Sequence, residues 1–238
     1  MDQQTVTTLV GLAAFLGLVH TLAGPDHYVP FIAMSRAGQW SLTRTLIVTA
    51  LCGVGHVAGS ILIGALGIGL GVAVGRLEWA ERFRGGLAGW LLLGFGLAYA
   101  AWGLRRAIRN RPHAHRHIHA DGTVHSHEHV HVGGHTHVHP DATQARSLTP
   151  WVLFTIFVFG PCEPLIPLLM IPAAQLSAWG VALVATTFGV VTIATMIGAV
   201  FLGRVCMTRI RIPGLERFSH AFAGAAMALC GAAIQFGL

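Results

Sequence analysis

The sequence contains no lysine, so all fifteen of its basic residues are arginines. It is poor in charge of either sign: 10% of its 238 residues are charged, against about 25% for a soluble domain. It has no Cys-x-x-Cys. Cys52, Cys162, Cys206 and Cys230 are scattered through apolar stretches, which excludes a disulfide framework. A basic segment near the start is missing too. Asp2 comes early and the first arginine is Arg36, so no cleaved secretory signal is expected. The net charge is +6, but the arginines sit in loops without a clustered, aromatic-interleaved face, so no nucleic-acid partner is expected.

What the chain has is apolar length. Six stretches, 6–34, 45–74, 84–108, 150–175, 179–203 and 214–238, are each long enough to cross about 30 Å of hydrocarbon. The first two are long for simple spans, which predicts breaks or tilt. Thirty glycines suit close helix packing in lipid, as in Gly67-x3-Gly71-x3-Gly75 and Gly55-x3-Gly59. With six spans, Arg36, Arg44, Arg105, Arg106, Arg109, Arg111, Arg116, Arg146, Arg204, Arg209, Arg211 and Arg217 share one side, and Arg76, Arg82 and Arg84 the other. Positive charge lies inside. This predicts a bacterial-type inner-membrane protein with both termini outside and the long central loop in the cytoplasm.

The two halves resemble each other at an offset of about 135 residues. Gly24-Pro25-Asp26-His27 faces Gly160-Pro161-Cys162-Glu163, Ile63-Gly64-Ala65 faces Ile197-Gly198-Ala199, and Glu81-Arg82-Phe83 with Ala88-Gly89 faces Glu216-Arg217-Phe218 with Ala223-Gly224. Three spans per unit is an odd number, so the units must insert with opposite topology. The predicted fold is all-α: residues 1–108 as one three-helix repeat, 109–148 as an unstructured histidine-rich loop, and 149–238 as the second repeat. Gly24-Pro25 breaks span one, and Pro161, Pro164 and Pro167 break span four. Inverted repeats typically place a substrate site at such interruptions, near mid-membrane.

Those breaks carry polar residues. By these boundaries Asp26 and Glu163 lie well inside spans, with Glu216 at the edge of the last one, and a charge at mid-bilayer costs at least about 2.5–3.5 kcal/mol. His27 adjoins Asp26, His20 lies about two helical turns earlier, His56 sits mid-span between Gly55 and Gly59, and Cys162 adjoins Glu163. His20, Asp26, His27, His56, Cys162 and Glu163 are therefore the candidate ligands. Imidazole, carboxylate and thiol suit nickel, cobalt, copper or zinc better than magnesium or calcium, which take oxygen. Plainer roles exist for each: Asp26 as a helix cap or a proton relay, the glycines around His56 as helix contacts, Cys162 as a small apolar residue. His220, near Arg217 and Ser219, reads as interfacial.

A second histidine cluster lies between the halves: His113, His115, His117, His119, His125, His127, His129, His131, His135, His137 and His139, framed by Pro112, Gly133-Gly134 and Pro140. Neutral imidazoles at this density bind divalent metals in many interchangeable arrangements. The alternation also suits a strand, but nothing apolar is there to bury one.

The string from His20 through Gly24-Pro25-Asp26-His27 to Phe31 resembles the first-helix motif of the nickel/cobalt transporters, and more closely the UreH-type transmembrane proteins related to them. Phe159-Gly-Pro-Cys-Glu-Pro-Leu-Ile-Pro167 is similar to the proline-rich helix of the wider LysE/DsbD/CcdA-like superfamily. The resemblance implies a 3+3 inverted-repeat transporter with metal ligands at His20, Asp26 and His27. Five residues separate His20 from Asp26-His27 where the permease pattern has four, a turn of about 100° on an unbroken helix. The electron-carrying relatives place one cysteine in each half; here Asp26 stands opposite Cys162.

The expected function is transport of a divalent metal ion, nickel or cobalt first, then zinc or copper. That ion is the cargo; no tightly bound cofactor and no enzyme activity are expected. The expected partners are the lipid bilayer, the metal and a cytoplasmic metallochaperone or metalloenzyme. The alternatives are a thiol–disulfide electron carrier using Cys52 and Cys162, an exporter of a small anion such as a sulfur oxyanion, drawn by half-helix dipoles, and a membrane accessory protein that hands nickel to an enzyme such as urease.

Overall fold

The computed structural model describes residues 3–109, 149–175, 177–208 and 216–237, together with the backbone of 113–118 and 124–129. Its packed body is all-helical. Helix α1 (Gln3–Ala23) leads through a 3-10 turn (Pro25–His27) into the short α2 (Val29–Ala37). Helices α3 (Leu42–Gly69) and α4 (Val74–Arg109) follow. The second half runs α5 (Thr149–Val158), α6 (Leu165–Ala174), α7 (Ala178–Thr208), a 3-10 turn (Glu216–Phe218) and α8 (Ser219–Gln235).

Both expected breaks are present. Pro25 and Pro30 cannot donate backbone N–H groups, and the chain leaves α1 with Gly24 extended. Pro161 and Pro164 separate α5 from α6 in the same way, whereas Pro167, expected to break the span as well, sits in the first turn of α6. No break interrupts α3: it is a single helix of 28 residues, about 42 Å long, capped by Ser41, whose hydroxyl accepts from the Arg44 N–H at 3.2 Å. Among the described residues, five helices are long and apolar enough to cross a membrane: α1, α3, α4, α7 and the segment Glu216–Gln235. Helices α5 and α6 have 10 residues each, about 15 Å apiece, and neither crosses alone.

The burial pattern is that of a membrane protein. On α3 the inward face carries Thr45, Thr49, Cys52, His56 and Ser60, while Leu51, Val54, Leu62 and Leu66 point outward. Exposed Trp90, Leu97, Val190, Leu202 and Leu229 repeat this on α4, α7 and α8. A water-facing surface does not leave so much large apolar side chain uncovered, whereas lipid demands it.

Helix α8 lies antiparallel along α4 in the most extensive helix contact of the fold. Gly89, Gly96 and Gly103 recur every seven residues on α4, and Gly224 and Gly231 do so on α8. A methyl group at Gly96 would strike the Ala228 backbone, and one at Gly224 the Ala100 backbone, so the two main chains touch directly. The glycines singled out from the sequence divide. Gly55 and Gly59 do receive α5, through Phe154 and Val158. In the other run, Gly67 meets Leu77, Gly71 occupies a turn at φ +63°, and Gly75 faces open space, so this run is not a helix-packing motif.

Two further expectations are corrected. Helix α4 begins at Val74 rather than residue 84, which makes Glu78, Glu81, Arg82 and Arg84 helical. Arg84, counted above as a loop charge, is almost buried. Within the histidine-rich segment, β1 (His113–Ile118) and β2 (Val124–His129) pair antiparallel, with His113, His115 and His117 opposite His129, His127 and His125. The period-2 alternation thus coincides with strand backbone where a wholly unstructured loop was expected. His119, His131, His135, His137 and His139 lie outside the described residues.

Candidate metal centre

Three histidines distant in sequence meet inside the helical body. His20 comes from the last turn of α1, His27 from the 3-10 turn after it, and His56 from the middle of α3. Their ring centroids are 4.7 Å (His20–His27), 5.0 Å (His27–His56) and 6.1 Å (His20–His56) apart. One ring nitrogen from each lies within 4.8 Å of those of the other two. His27 and His56 are buried, and His20 nearly so.

The break makes this possible. On an unbroken helix His20 and His27 would share a face but stand about 10 Å apart along the axis. Here α1 stops at Ala23, the Gly24 N–H donates to the His20 carbonyl at 3.1 Å, and the tighter turn carries His27 back toward His20. Glycine is required on both sides of the site. A Cβ at Gly24 would lie 2.6 Å from His27 Nδ1, and one at Gly160 would lie 2.6 Å from His56 Nδ1. The two Gly-Pro pairs therefore make room for imidazoles as well as interrupting helices.

Each ring carries one buried nitrogen with no hydrogen-bond partner: His20 Nε2, His27 Nε2 and His56 Nδ1. Buried polar atoms are normally paired, and three unpaired imidazole nitrogens in one cluster form a donor set for a borderline metal. The opposite nitrogen of two rings is held. His27 Nδ1 lies 3.3 Å from Asp26 Oδ1 and 3.1 Å from the Gly24 carbonyl oxygen. His56 Nε2 lies 2.9 Å from Cys162 Sγ. This is the pattern of ligating imidazoles oriented from behind by a carboxylate, a carbonyl or another acceptor. Asp26 and Cys162, which occupy matching places after the two Gly-Pro pairs, both stand against an imidazole nitrogen turned away from the cluster's unpaired ones. Around them a cavity of ≈10 Å³ is lined by Asp26, His56, Ala88, Leu92, Ile156, Phe157, Gly160 and Ile234.

Glu163 does not join this site. It is exposed and lines a separate cavity with Glu78 and Arg82, because the break that turns Cys162 inward turns its neighbour outward. Glu163, a candidate ligand by sequence, therefore stands apart from Asp26 and the three histidines. Among the described residues the fully buried carboxylate is Glu81, which a span starting at residue 84 leaves in a loop. Its Oε1 accepts from Arg84 Nη1 at 2.8 Å, and its Oε2 accepts from the Ser60 hydroxyl at 3.0 Å and the Cys162 N–H at 3.1 Å. The overlooked signal was Glu81-x2-Arg84, one helical turn apart. His220 belongs elsewhere as well, with Nδ1 2.8 Å from the Tyr99 hydroxyl and its ring against Trp102.

Cys52 and Cys162 are both free. Cys52 packs in a cluster with Phe31 and Met196, and Cys162 in another with Leu165 and Phe188. No family model, curated protein or solved structure matches the chain.

Proposed function

We propose that this chain carries a divalent transition-metal ion across a bacterial-type inner membrane, with nickel and cobalt ahead of zinc and copper. The observation that carries the reading is the set of three buried imidazoles, each with an unpartnered nitrogen, gathered beside two interrupted helices. Irregular backbone at membrane depth is tolerated where it is buried in protein or lines a path, and intramembrane ionisable groups mark such paths. In this reading His20, His27 and His56 bind the ion and Asp26 and Cys162 orient them. Two ligands of a tetrahedral ion stand about 3.4 Å apart, so loading draws the ring nitrogens, which lie within 4.8 Å of one another, together by up to about 1.4 Å.

The proposed topology has six crossings in two inverted units of three, with α5 and α6 together forming the fourth. Three features support it. The order helix, break, short helix, long helix, further helix occurs twice. Gly89 and Gly224, related by the repeat offset, both lie in the α4–α8 contact. The arginine asymmetry favours a cytoplasmic histidine-rich segment, able there to pass metal to or from a metallochaperone or metalloenzyme, and termini outside. A resemblance to UreH-type proteins and nickel/cobalt transporters agrees with this reading.

The deciding experiment is counterflow of nickel, cobalt and zinc in sealed vesicles of known orientation. The unsubstituted chain exchanges at least one of them, and His27→Ala and His56→Ala do not. Equal exchange by those variants would remove the site from the mechanism.

A further inference from the structure

Behind Cys162 lies a second layer of charge that metal binding does not use. Arg84 spans from α4 to the α5–α6 break. Its Nη2 donates to the Gly160 carbonyl at 2.6 Å and to the Ser60 hydroxyl at 3.0 Å, and its Nε donates to the Phe159 carbonyl at 3.4 Å. Glu81 takes the N–H of Cys162 at 3.1 Å. The two charges bond each other at 2.8 Å, with Glu81 0% and Arg84 11% exposed. Backbone freed by Pro161 and Pro164 is thus satisfied by an ion pair from a different helix. Ser60 is one turn beyond His56 on α3, so the same network reaches both partners of the 2.9 Å contact between His56 and Cys162.

We propose that Glu81 and Arg84 are positioning residues of the metal centre, acting through Cys162 on the orientation and tautomer of His56. The inference rests on the metal-binding reading above. A metal held at His56 Nδ1 requires the proton on Nε2, and that N–H needs an acceptor. The acceptor is the Cys162 sulfur. It sits where it does because Glu81 grips the Cys162 N–H while Arg84 grips the carbonyls of the two residues before Pro161. A neutral lining would leave these backbone groups unpaired in an apolar interior. A single charge would be uncompensated there, which is why both are present. The first half achieves the same end locally, since Asp26 is adjacent in sequence to the histidine it backs.

The test is cobalt(II) affinity and the visible cobalt spectrum of the full-length chain in detergent, with each histidine of 113–139 changed His→Gln so that the helical cluster alone is read. Cys162→Ala should weaken binding about 10–100-fold and shift the visible bands. The paired change Glu81→Gln with Arg84→Met, which leaves no buried charge unmatched, should weaken it by a similar factor. Combining all three should be no worse than Cys162→Ala alone, because every change acts through one contact. Ser60→Ala keeps both charges and should move affinity the same way by a smaller factor, which secures the test should the paired variant fail to fold. Losses that multiply, or unchanged affinity and bands in both the paired variant and Ser60→Ala, would overturn the proposal. Absence of any cobalt site before these changes would instead sink the metal reading, and this one with it.

Discussion

Replacing Asp26 by asparagine separates two roles that the sequence leaves merged. As a ligand, Asp26 would be indispensable. As the group behind His27, 3.3 Å from Nδ1, its loss weakens the site without abolishing it. The size of the effect can be worked out. At a free metal concentration about 100 times the dissociation constant, binding stabilises the folded chain by about 2.7 kcal/mol. For a chain of this length that is a rise of about 5–11 °C in unfolding temperature. Loss of an outer partner typically weakens metal binding about 10–100-fold. At the same metal concentration Asp26→Asn then keeps about 0.4–1.4 kcal/mol, a shift of about 1–6 °C. His27→Ala removes a ligand, and a loss of about 1000-fold or more leaves under about 0.1 kcal/mol. The assay is thermal unfolding in detergent with and without nickel or cobalt, on chains whose loop histidines are glutamines. If Asp26→Asn lost the shift as completely as His27→Ala, Asp26 would be a ligand. If both kept the full shift, the cluster would not be the site.

Other changes follow from the same geometry. Gly160→Ala pushes a methyl into His56 Nδ1, so metal affinity should fall while the metal-free chain stays folded, read by titration and gel filtration. Gly224→Val drives α8 off α4 at the closest backbone approach and should destabilise by about 1–3 kcal/mol or more, whereas Gly75→Ala, facing open space, should be silent in the same unfolding assay. Glu163→Gln, exposed beside Glu78 and Arg82, should leave metal exchange in vesicles unchanged; a lost signal would return Glu163 to the path. Non-reducing peptide mapping of membranes should recover Cys52 and Cys162 as thiols, and a bond between them would revive the electron-carrier alternative.

Membrane character, the helical class and both helix breaks were legible in the chain. Each follows from local chemistry: apolar length against bilayer thickness, and proline without an N–H. His20, His27 and His56 were legible as candidates because an imidazole deep in an apolar run is conspicuous. The partners were not. Glu163 and Cys162 are neighbours in sequence, yet the turn between α5 and α6 sends one outward and the other to His56. Glu81 looked like a loop residue because hydropathy windows stop at charge. It is buried because Arg84, Ser60 and the Cys162 N–H are there to meet it. A sequence states what each residue brings, and periodicity states which face it takes on its own helix. Which donors converge on one point, and which charges cancel inside it, depends on where separate helices cross, and that was decided by packing: glycines that let main chains touch, and breaks that redirect them.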